Sequence, residues 1–261
     1  MDAAEAFAEL VRIMERLRAP GGCPWDREQT RESIKPYLIE EAYEVAEAIE
    51  DNNIDDLRCE LGDLLLQVVF HAEMAREEGL FTIDDVVRGI TEKMIRRHPH
   101  VFGDTAVDGS AEVLRNWARI KAEERKDRDD RSTVAGVPRA MPALLRAHRL
   151  SEKASRVGFD WERARDVLDK VQEELSELQA AVELGSRTEV EAELGDLLFA
   201  LTSLGRHLAV QAEDALHRAN DRFIRRFRYI EDRLAERRQD LHATSVQEMN
   251  ALWDEAKRRE Q

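Results

Sequence analysis

Apolar residues recur at helical spacing along almost the whole chain, and no segment alternates apolar and polar positions as a strand would. Gly and Pro stand at the breaks in this pattern, where helices are expected to end. In the first half the pattern predicts helices over residues 5–19, 31–51, 54–78, 83–97 and 111–127. In the second half it predicts helices over residues 141–156, 162–184, 187–211, 213–238 and 246–259. The sequence therefore predicts an all-α protein.

Several predicted helix starts carry capping signals. In a capping box, a hydroxyl side chain and an acid three residues later satisfy the free backbone N–H groups of the first turn. Ser186-x-x-Glu189 and Ser245-x-x-Glu248 fit this pattern, and Thr82-x-x-Asp85 is a weaker version of it.

One pattern of carboxylates occurs twice, and each position of the second copy follows its counterpart in the first by 133 residues. The first copy consists of Glu40, Glu41, Glu44, Glu60 and Asp63. The second copy consists of Glu173, Glu174, Glu177, Glu193 and Asp196. This repeat predicts two related domains over residues 1–125 and 140–261, joined by a linker over residues 126–139.

The composition restricts the class of protein further. Charged residues make up 36% of the chain, and the formal net charge is −15. Such an acidic surface repels phosphate backbones, which argues against nucleic-acid binding. No apolar run approaches the ~20 residues of a transmembrane helix, so we expect no membrane span. The two cysteines, Cys23 and Cys59, suggest no disulfide framework, and the N-terminus does not resemble a signal peptide, so the cytoplasm is the expected compartment.

The spacing of the repeated carboxylates suggests a metal site. A helix turns about 100° per residue, so Glu174 and Glu177 lie about 60° apart around their helix. Glu193 and Asp196 have the same spacing on the next helix. Both pairs face one groove if the two helices pack antiparallel, which the short connection near Gly185 favours. Carboxylate oxygens are the ligands that Mg²⁺ prefers, so a hard divalent cation is the first hypothesis.

The alternative is a solvated acidic face, which is common on helices. Burial argues against it, because apolar residues surround the acids of the second helix in each copy, at Leu194, Leu197, Leu198, Val68, Val69 and Phe70. A helix that is apolar nearly all round is predicted to be buried, and acids on it need compensation. A di-iron site would require Glu-x-x-His motifs, and no His falls in this pattern.

Other candidates for chemistry are weaker. His98 and His100 flank a proline without a third ligand at zinc spacing, so a role in the loop is favoured. Neither Cys23 nor Cys59 has a visible base partner, which argues against a cysteine nucleophile.

The chain resembles the MazG family of bacterial nucleoside triphosphate pyrophosphohydrolases over nearly its whole length. The resemblance rests on both carboxylate motifs and on three flanking segments, Gly22–Asp26, Arg97–Phe102 and Val157–Trp161. Related all-α enzymes, including dUTPase-like and phosphoribosyl-ATP-hydrolysing ones, share the carboxylate signature alone. The resemblance implies an all-α homodimer of two MazG-like domains with four-helix-bundle packing. It also implies hydrolysis of NTPs or dNTPs to the monophosphate and pyrophosphate with Mg²⁺, or with Mn²⁺ in its place.

The resemblance assigns roles by motif position. It implies metal ligands at Glu174, Glu177, Glu193 and Asp196. Glu173 would lie beside them and hold the attacking water. Nucleotide contacts are implied at Lys170, Arg222, Arg225, Arg226, Trp253 and Lys257. Adjacent helical side chains diverge, so one of Arg225 and Arg226 is expected to be a surface or salt-bridge residue, and Trp253 is either a base platform or a packing residue.

The two halves differ around the shared carboxylates. Lys170 corresponds to Tyr37, which removes a cation from the first half. Arg222 corresponds to Lys93, which loses the planar fork of the guanidinium. In the family the C-terminal half is the main catalyst, so we expect the second half to be catalytic and the first to be weakly active or structural. The less certain metal site of the first half would use Glu41, Glu44, Glu60 and Asp63.

Three functions remain open from the sequence. The leading hypothesis is an NTP pyrophosphohydrolase of broad base specificity, for housecleaning of nucleotide pools or for stress regulation. The second is an enzyme of the same chemistry that is restricted to one nucleotide, such as dUTP. The third is a non-catalytic acidic helical module that binds a basic partner. Helices with two apolar sides also predict a homodimer, because a second copy would complete the bundles.

Overall fold

A computed structural model of the chain describes residues 2–124 and 132–260, and every regular element among them is helical. The predicted all-α class is confirmed. The chain divides into two compact units between Ile120 and Lys121. The predicted domain and linker boundaries stay predictions, and the helix end predicted at residue 127 lies outside the described residues. None of the described helices is both long and apolar enough to cross a membrane.

The helices follow the predicted order. Those that begin in the first unit are α1 (Ala3–Arg18), α2 (Pro24–Glu28), α3 (Arg31–Glu50), α4 (Ile54–Glu77), α5 (Ile83–Arg97), α6 (Pro99–Phe102) and α7 (Ser110–Glu123). Those of the second unit are α8 (Ala143–Ser155), α9 (Ala164–Leu184), α10 (Arg187–His207), α11 (Ala212–Glu236) and α12 (Val246–Arg259). A short 3-10 helix, Leu241–Ala243, precedes α12. The apolar pattern did not predict this turn, α2 or α6.

A pair of long neighbouring helices forms the centre of each unit, α3 with α4 and α9 with α10. In the first unit α1 packs on α4, and the core consists of Met14, Ile34, Val69, Phe70 and Met74. In the second unit α8 packs on α10, and α11 packs on α12 around a core of Ile230, Leu234 and Leu252. The repeated carboxylates lie on the two central pairs.

Two helices of the second unit end at least two residues earlier than predicted. The helix predicted to reach residue 211 ends at His207, because Ala209 adopts the left-handed conformation with φ of 55°. The next N–H then donates to the carbonyl of Gly205, which closes the helix as a Schellman motif. The helix predicted to reach residue 238 ends at Glu236 in the same way, with Arg238 at φ of 55°. Neither left-handed residue is glycine, so the sequence pattern gave no stop signal.

The helix caps differ from the prediction in detail. Thr82 and Asp85 form a complete capping box at the start of α5, not a weaker version of one. Ser186 and Ser245 each accept a hydrogen bond from the N–H three residues later. Within the described contacts, neither serine donates its backbone N–H to the acid three residues later, which would complete a box.

In each unit an arginine takes part in a contact with the end of a long helix. In the first unit Arg18 on α1 donates to both carboxylate oxygens of Glu77 on α4, at 2.7 and 2.9 Å. In the second unit the polarity is reversed. Arg206 on α10 pairs at 2.5 Å with Asp160 in the loop after α8, and His207 lies 2.9 Å from the same carboxylate. Asp160, Arg206 and His207, which we call the clamp, thus join the end of α10 to the loop that leads into α9.

A stripe of half-exposed apolar side chains runs along each central pair. We call each one an apolar stripe. The stripe on α4 consists of Leu61, Leu65 and Val68, and the stripe on α10 consists of the residues 133 positions later, Leu194, Leu198 and Leu201. These side chains are 38–50% exposed. The prediction that α4 and α10 are buried all round is therefore wrong for the chain by itself, because the helices packed on each of them cover only the other sides. Val69 and Phe70 are buried as predicted.

Candidate active site

Three carboxylates converge between the central helices of the second unit. Glu174 and Glu177 lie on α9, and Glu193 lies on α10. Each offers an oxygen within 4.8 Å of the oxygens of the other two. Glu174 is only 6% exposed, so its charge is largely withdrawn from water. We call these three residues the second acidic cluster.

The turn between α9 and α10 brings these residues to the same height. Gly185 ends α9 in the left-handed conformation with φ of 69°, and Ser186 caps the start of α10. So short a connection makes the two helices an antiparallel hairpin. Glu177 lies eight residues before Gly185 and Glu193 lies eight residues after it, so the two side chains meet across the hairpin.

Lys170 neutralises part of the second acidic cluster. Its ammonium lies one turn before the acids on α9, 2.7 Å from Glu174 and 2.8 Å from Glu173. These two hydrogen bonds raise the pKa of Lys170, so the side chain stays charged. The lysine that was predicted to bind substrate is therefore paired with a predicted metal ligand.

The carboxylates of the second acidic cluster still repel one another. Partial removal from water raises the pKa of Glu177, and the charges of Glu174 and Glu193 raise it further. A hard cation among these oxygens would relieve the repulsion. The cluster holds only carboxylate oxygens, and neither His nor Cys belongs to it, so its donor set fits Mg²⁺ or Mn²⁺ better than a soft metal.

The first unit builds a matching group of acids. Oxygens of Glu41, Glu44 and Glu60 also lie within 4.8 Å of one another, and we call these residues the first acidic cluster. Partial removal from water raises the pKa of Glu41 and of Glu60, and neighbouring acids raise both further. Tyr37 stands where the second unit has Lys170, and its ring contacts Trp25. The acids of the first cluster thus have no lysine at this position.

Other predicted carboxylates lie outside these close groups. Asp196 is exposed on α10 and does not join the mutually close oxygens of the second acidic cluster. Asp63 lies outside the first cluster in the same way, although its charge raises the pKa of Glu41. Glu173 is exposed, and its carboxylate contacts Lys170.

The predicted arginines lie together on α11. Arg226 donates to one carboxylate oxygen of Glu260 from Nε at 2.9 Å and from Nη2 at 2.5 Å. Arg225 lies 3.9 Å from the other oxygen and is more exposed than Arg226. The hydrogen bonds from Arg226 lower the pKa of Glu260 against the opposing effect of burial, and the charges of Arg225 and Arg222 lower it further. We call Arg222, Arg225 and Arg226 the arginine face, and its acidic partner was not predicted from the sequence.

Trp253 packs against the same face. Its ring lies against the core of the α11–α12 pair, and the guanidinium of Arg226 lies 5.5 Å from the ring centre. Phe223, which the sequence analysis did not single out, contacts Trp253 at 5.2 Å between ring centres and is itself exposed. Lys257 on α12 pairs with Asp254 at 3.3 Å. In this arrangement Trp253 is half-buried and packs on the core and against Arg226.

His98 serves the loop in the first unit. Its Nδ1 lies 2.7 Å from the carbonyl oxygen of Met94, and its ring meets Trp117 edge to face at 5.1 Å. The ring of His100 follows at 5.6 Å. These contacts account for the histidine pair as packing at the junction of α5 and α6.

Comparison with known protein families assigns the clusters to one class. The MazG nucleotide pyrophosphohydrolase domain matches residues 29–102, which contain the first acidic cluster. The phosphoribosyl-ATP pyrophosphohydrolase model matches residues 146–223, which contain the second. The protein is therefore a hydrolase of pyrophosphate bonds built from two MazG-type helical domains.

Full-length relatives then identify the family. A nucleoside triphosphate pyrophosphohydrolase of Escherichia coli K12 is 47% identical over 96% of this chain and 97% of its own length. A nucleoside triphosphate pyrophosphohydrolase/pyrophosphatase MazG of Thermotoga maritima is 47% identical over 98% of this chain and 97% of its own. A Mycolicibacterium smegmatis relative is 38% identical over 59% of this chain and 48% of its own length. The chain belongs to the MazG family.

Proposed function

We propose that this protein hydrolyses NTPs and dNTPs, with broad base specificity, to the nucleoside monophosphate and pyrophosphate at the second acidic cluster. The observation that carries the proposal is the convergence of Glu174, Glu177 and Glu193 beside a lysine in a chain of this family. The names of the full-length relatives support the substrate class. Trimming of nucleotide pools, as housecleaning or in stress, is the biological role that fits this reaction.

Metal binding is part of the proposal. Glu174, Glu177 and Glu193 would hold Mg²⁺, and Mn²⁺ could replace it. Asp196 would join them by a change of side-chain rotamer from its exposed position. When bound, the cation would offset the negative charge on the phosphate oxygens of the substrate.

In the proposed step a water molecule attacks the α-phosphorus. A bond forms between the water oxygen and this phosphorus, and the bridging P–O bond to the β-phosphate breaks. Pyrophosphate leaves with the bonding electron pair. Glu173 is exposed at the edge of the cluster, so it is placed to orient the water and accept its proton. Lys170, which holds Glu173 and Glu174, is placed to exchange one of these partners for a phosphate oxygen.

The arginine face is the second part of the substrate site. Arg222, Arg225 and Arg226 supply guanidinium groups that pair well with phosphate oxygens. Lys257 adds a further cation on α12. The exposed ring of Phe223 beside Trp253 offers an aromatic surface on which the nucleotide base would stack. Such a surface does not discriminate between bases.

The first unit has a different role in the proposal. Its acids, Glu41, Glu44, Glu60 and Asp63, would hold a second metal ion. The position of Lys170 is taken by Tyr37, and Lys93 replaces the guanidinium of Arg222. We therefore assign the first unit a structural or regulatory role, with weak activity at most.

We assign a second copy of the chain as the partner of the apolar stripes. The same three positions on α4 and on α10 leave apolar side chains about half exposed. Contiguous exposed apolar surface of this kind is typical of protein interfaces. Pairing of two chains through these stripes would complete helical bundles around both acidic clusters.

Product analysis tests the function. We would incubate the wild-type protein with Mg²⁺ and a panel of NTPs and dNTPs, and follow the products by ³¹P NMR. Monophosphate and pyrophosphate from most members of the panel are expected. Turnover of dUTP alone would replace broad specificity with a single-nucleotide enzyme. Orthophosphate as the first product, or no turnover with either Mg²⁺ or Mn²⁺, would refute the proposal and favour a non-catalytic module that binds a basic partner.

A further inference from the structure

The arginine face already holds an anion that belongs to the chain. Glu260 follows the last residue of α12 and accepts two hydrogen bonds from Arg226, at 2.9 and 2.5 Å. Its second oxygen lies 3.9 Å from Arg225. One carboxylate thus shares the three cations of the arginine face, which leaves the face with net positive charge on a strongly acidic protein.

The contact between Arg226 and Glu260 has the form of anion recognition. Arg226 approaches with two of its N–H groups, the geometry in which a guanidinium also grips a phosphate oxygen. The guanidinium is fixed from the other side by the ring of Trp253, which packs on the core of the α11–α12 pair. Arg226 therefore has a contact with the ring of Trp253 in addition to its hydrogen bonds to Glu260.

Glu260 is placed for release. It follows the last residue of α12, and the ends of helices fray readily. Its side chain is 31% exposed, so water solvates it as soon as it leaves the arginines. A displaced Glu260 costs the fold no core contact, because the core of the α11–α12 pair lies at Ile230, Leu234 and Leu252.

We propose that Glu260 is an internal ligand of the arginine face, which a phosphate group of the substrate must displace. This inference rests on the proposed function in one respect, that the displacing phosphate belongs to a nucleotide substrate. Glu260 then weakens substrate binding and sets the KM, without taking part in the chemical step. A polyphosphate carries several negative charges where the displaced carboxylate carries one, so it competes for the arginines more strongly than a single carboxylate does.

The test compares Glu260→Gln with Glu236→Gln in the full-length protein. Both variants remove one exposed carboxylate that pairs with an arginine of α11, so the change in net charge is the same. Calorimetry with inorganic tripolyphosphate measures anion binding without turnover. For Glu260→Gln we expect Kd to fall about fivefold, the factor that corresponds to one exposed ion pair, and Kd to be unchanged for Glu236→Gln.

Kinetics provide the second readout. For NTP hydrolysis we expect Glu260→Gln to lower KM by a similar factor and to leave kcat unchanged, since the acidic clusters are untouched. Equal tripolyphosphate affinities in Glu260→Gln and wild type would overturn the inference, as would an equal gain in both variants. Failure of the wild type to hydrolyse NTPs would refute the proposed function but would leave the calorimetric comparison intact, so the two failures are distinguishable.

Discussion

The ammonium of Lys170 lies 2.7 Å from the carboxylate of Glu174, the most buried acid of the second cluster. In the first unit the corresponding pair is Tyr37 and Glu41, which provides no cation. The two acidic clusters therefore have equivalent carboxylates. They differ in that a metal ion entering the second cluster must displace the ammonium of Lys170. This difference can be measured.

Removal of the lysine should strengthen metal binding at the second cluster. A divalent ion binds with a more favourable free energy when it no longer competes with the ammonium for Glu174. For Lys170→Met we expect Mn²⁺ to bind up to about fivefold more tightly, the factor that corresponds to loss of one competing ion pair. Calorimetry in a Glu41→Gln background isolates the second site. The converse variant, Tyr37→Lys in a Glu174→Gln background, should weaken Mn²⁺ binding at the first site. Equal affinities with and without Lys170 would show that the lysine does not compete.

The clamp at Asp160 should carry stability. Its carboxylate binds Arg206 and His207, and Arg206 also donates to the buried hydroxyl of Ser151 at 2.8 Å. Asp160→Asn leaves a mostly buried guanidinium without its counter-charge, so we expect a loss of about 2 kcal/mol in the free energy of unfolding. Urea denaturation measures it. Glu236→Gln, which breaks an exposed ion pair, should cost less than about 0.5 kcal/mol. Equal losses in the two variants would contradict the clamp.

The same clamp predicts a dependence on pH. Burial alone would raise the pKa of Asp160, but hydrogen bonds from Arg206 and His207 outweigh it and lower the pKa below the ordinary value of 3.8. A carboxylate with a lowered pKa adds stability above its unfolded value, and this contribution is lost as the pH falls through the folded value. The stability difference between wild type and Asp160→Asn should therefore be larger at pH 5 than at pH 3. A difference that grows on acidification would reverse the assigned sign.

A charge on an apolar stripe should separate the proposed dimer. Leu198 lies in the middle of the stripe on α10 and is 43% exposed. Leu198→Glu places a carboxylate where the partner chain would pack, so sedimentation at micromolar concentration should give a dimer for wild type and a monomer for the variant. Leu208→Glu, which alters an exposed leucine just after α10, should remain dimeric. A monomeric wild type would contradict the assembly.

The sequence predicted the fold well because its signals are local. Helical periodicity defined the long helices to within a few residues, and the spacing from Glu177 to Gly185 and on to Glu193 placed two carboxylates at one height. The ends of α10 and α11 were missed, because Ala209 and Arg238 adopt left-handed conformations that only glycine normally signals.

Tertiary contacts explain what the sequence missed in the site. Glu260 meets Arg226 across 34 positions, and this contact depends on how α11 packs against α12. The leucines of α10 were predicted to be buried but are half exposed in the single chain. Hydrophobicity predicts that a surface is covered, and it does not say by which chain. Lys170 was predicted to bind substrate from the resemblance, but the spacing to Glu174 on one helix already allowed their ion pair.

The central claim is that the second acidic cluster performs the hydrolysis. Release of pyrophosphate from an NTP/dNTP panel with Mg²⁺, measured for wild type, Glu174→Gln and Glu41→Gln, tests it most directly. The two variants make the same substitution at equivalent positions of the repeat, so each controls for the other. We expect wild type and Glu41→Gln to release pyrophosphate and Glu174→Gln to lose at least about a hundredfold in kcat, as expected when a metal ligand or its support is removed. Activity that is lost in Glu41→Gln and kept in Glu174→Gln would contradict the account and place the chemistry in the first unit.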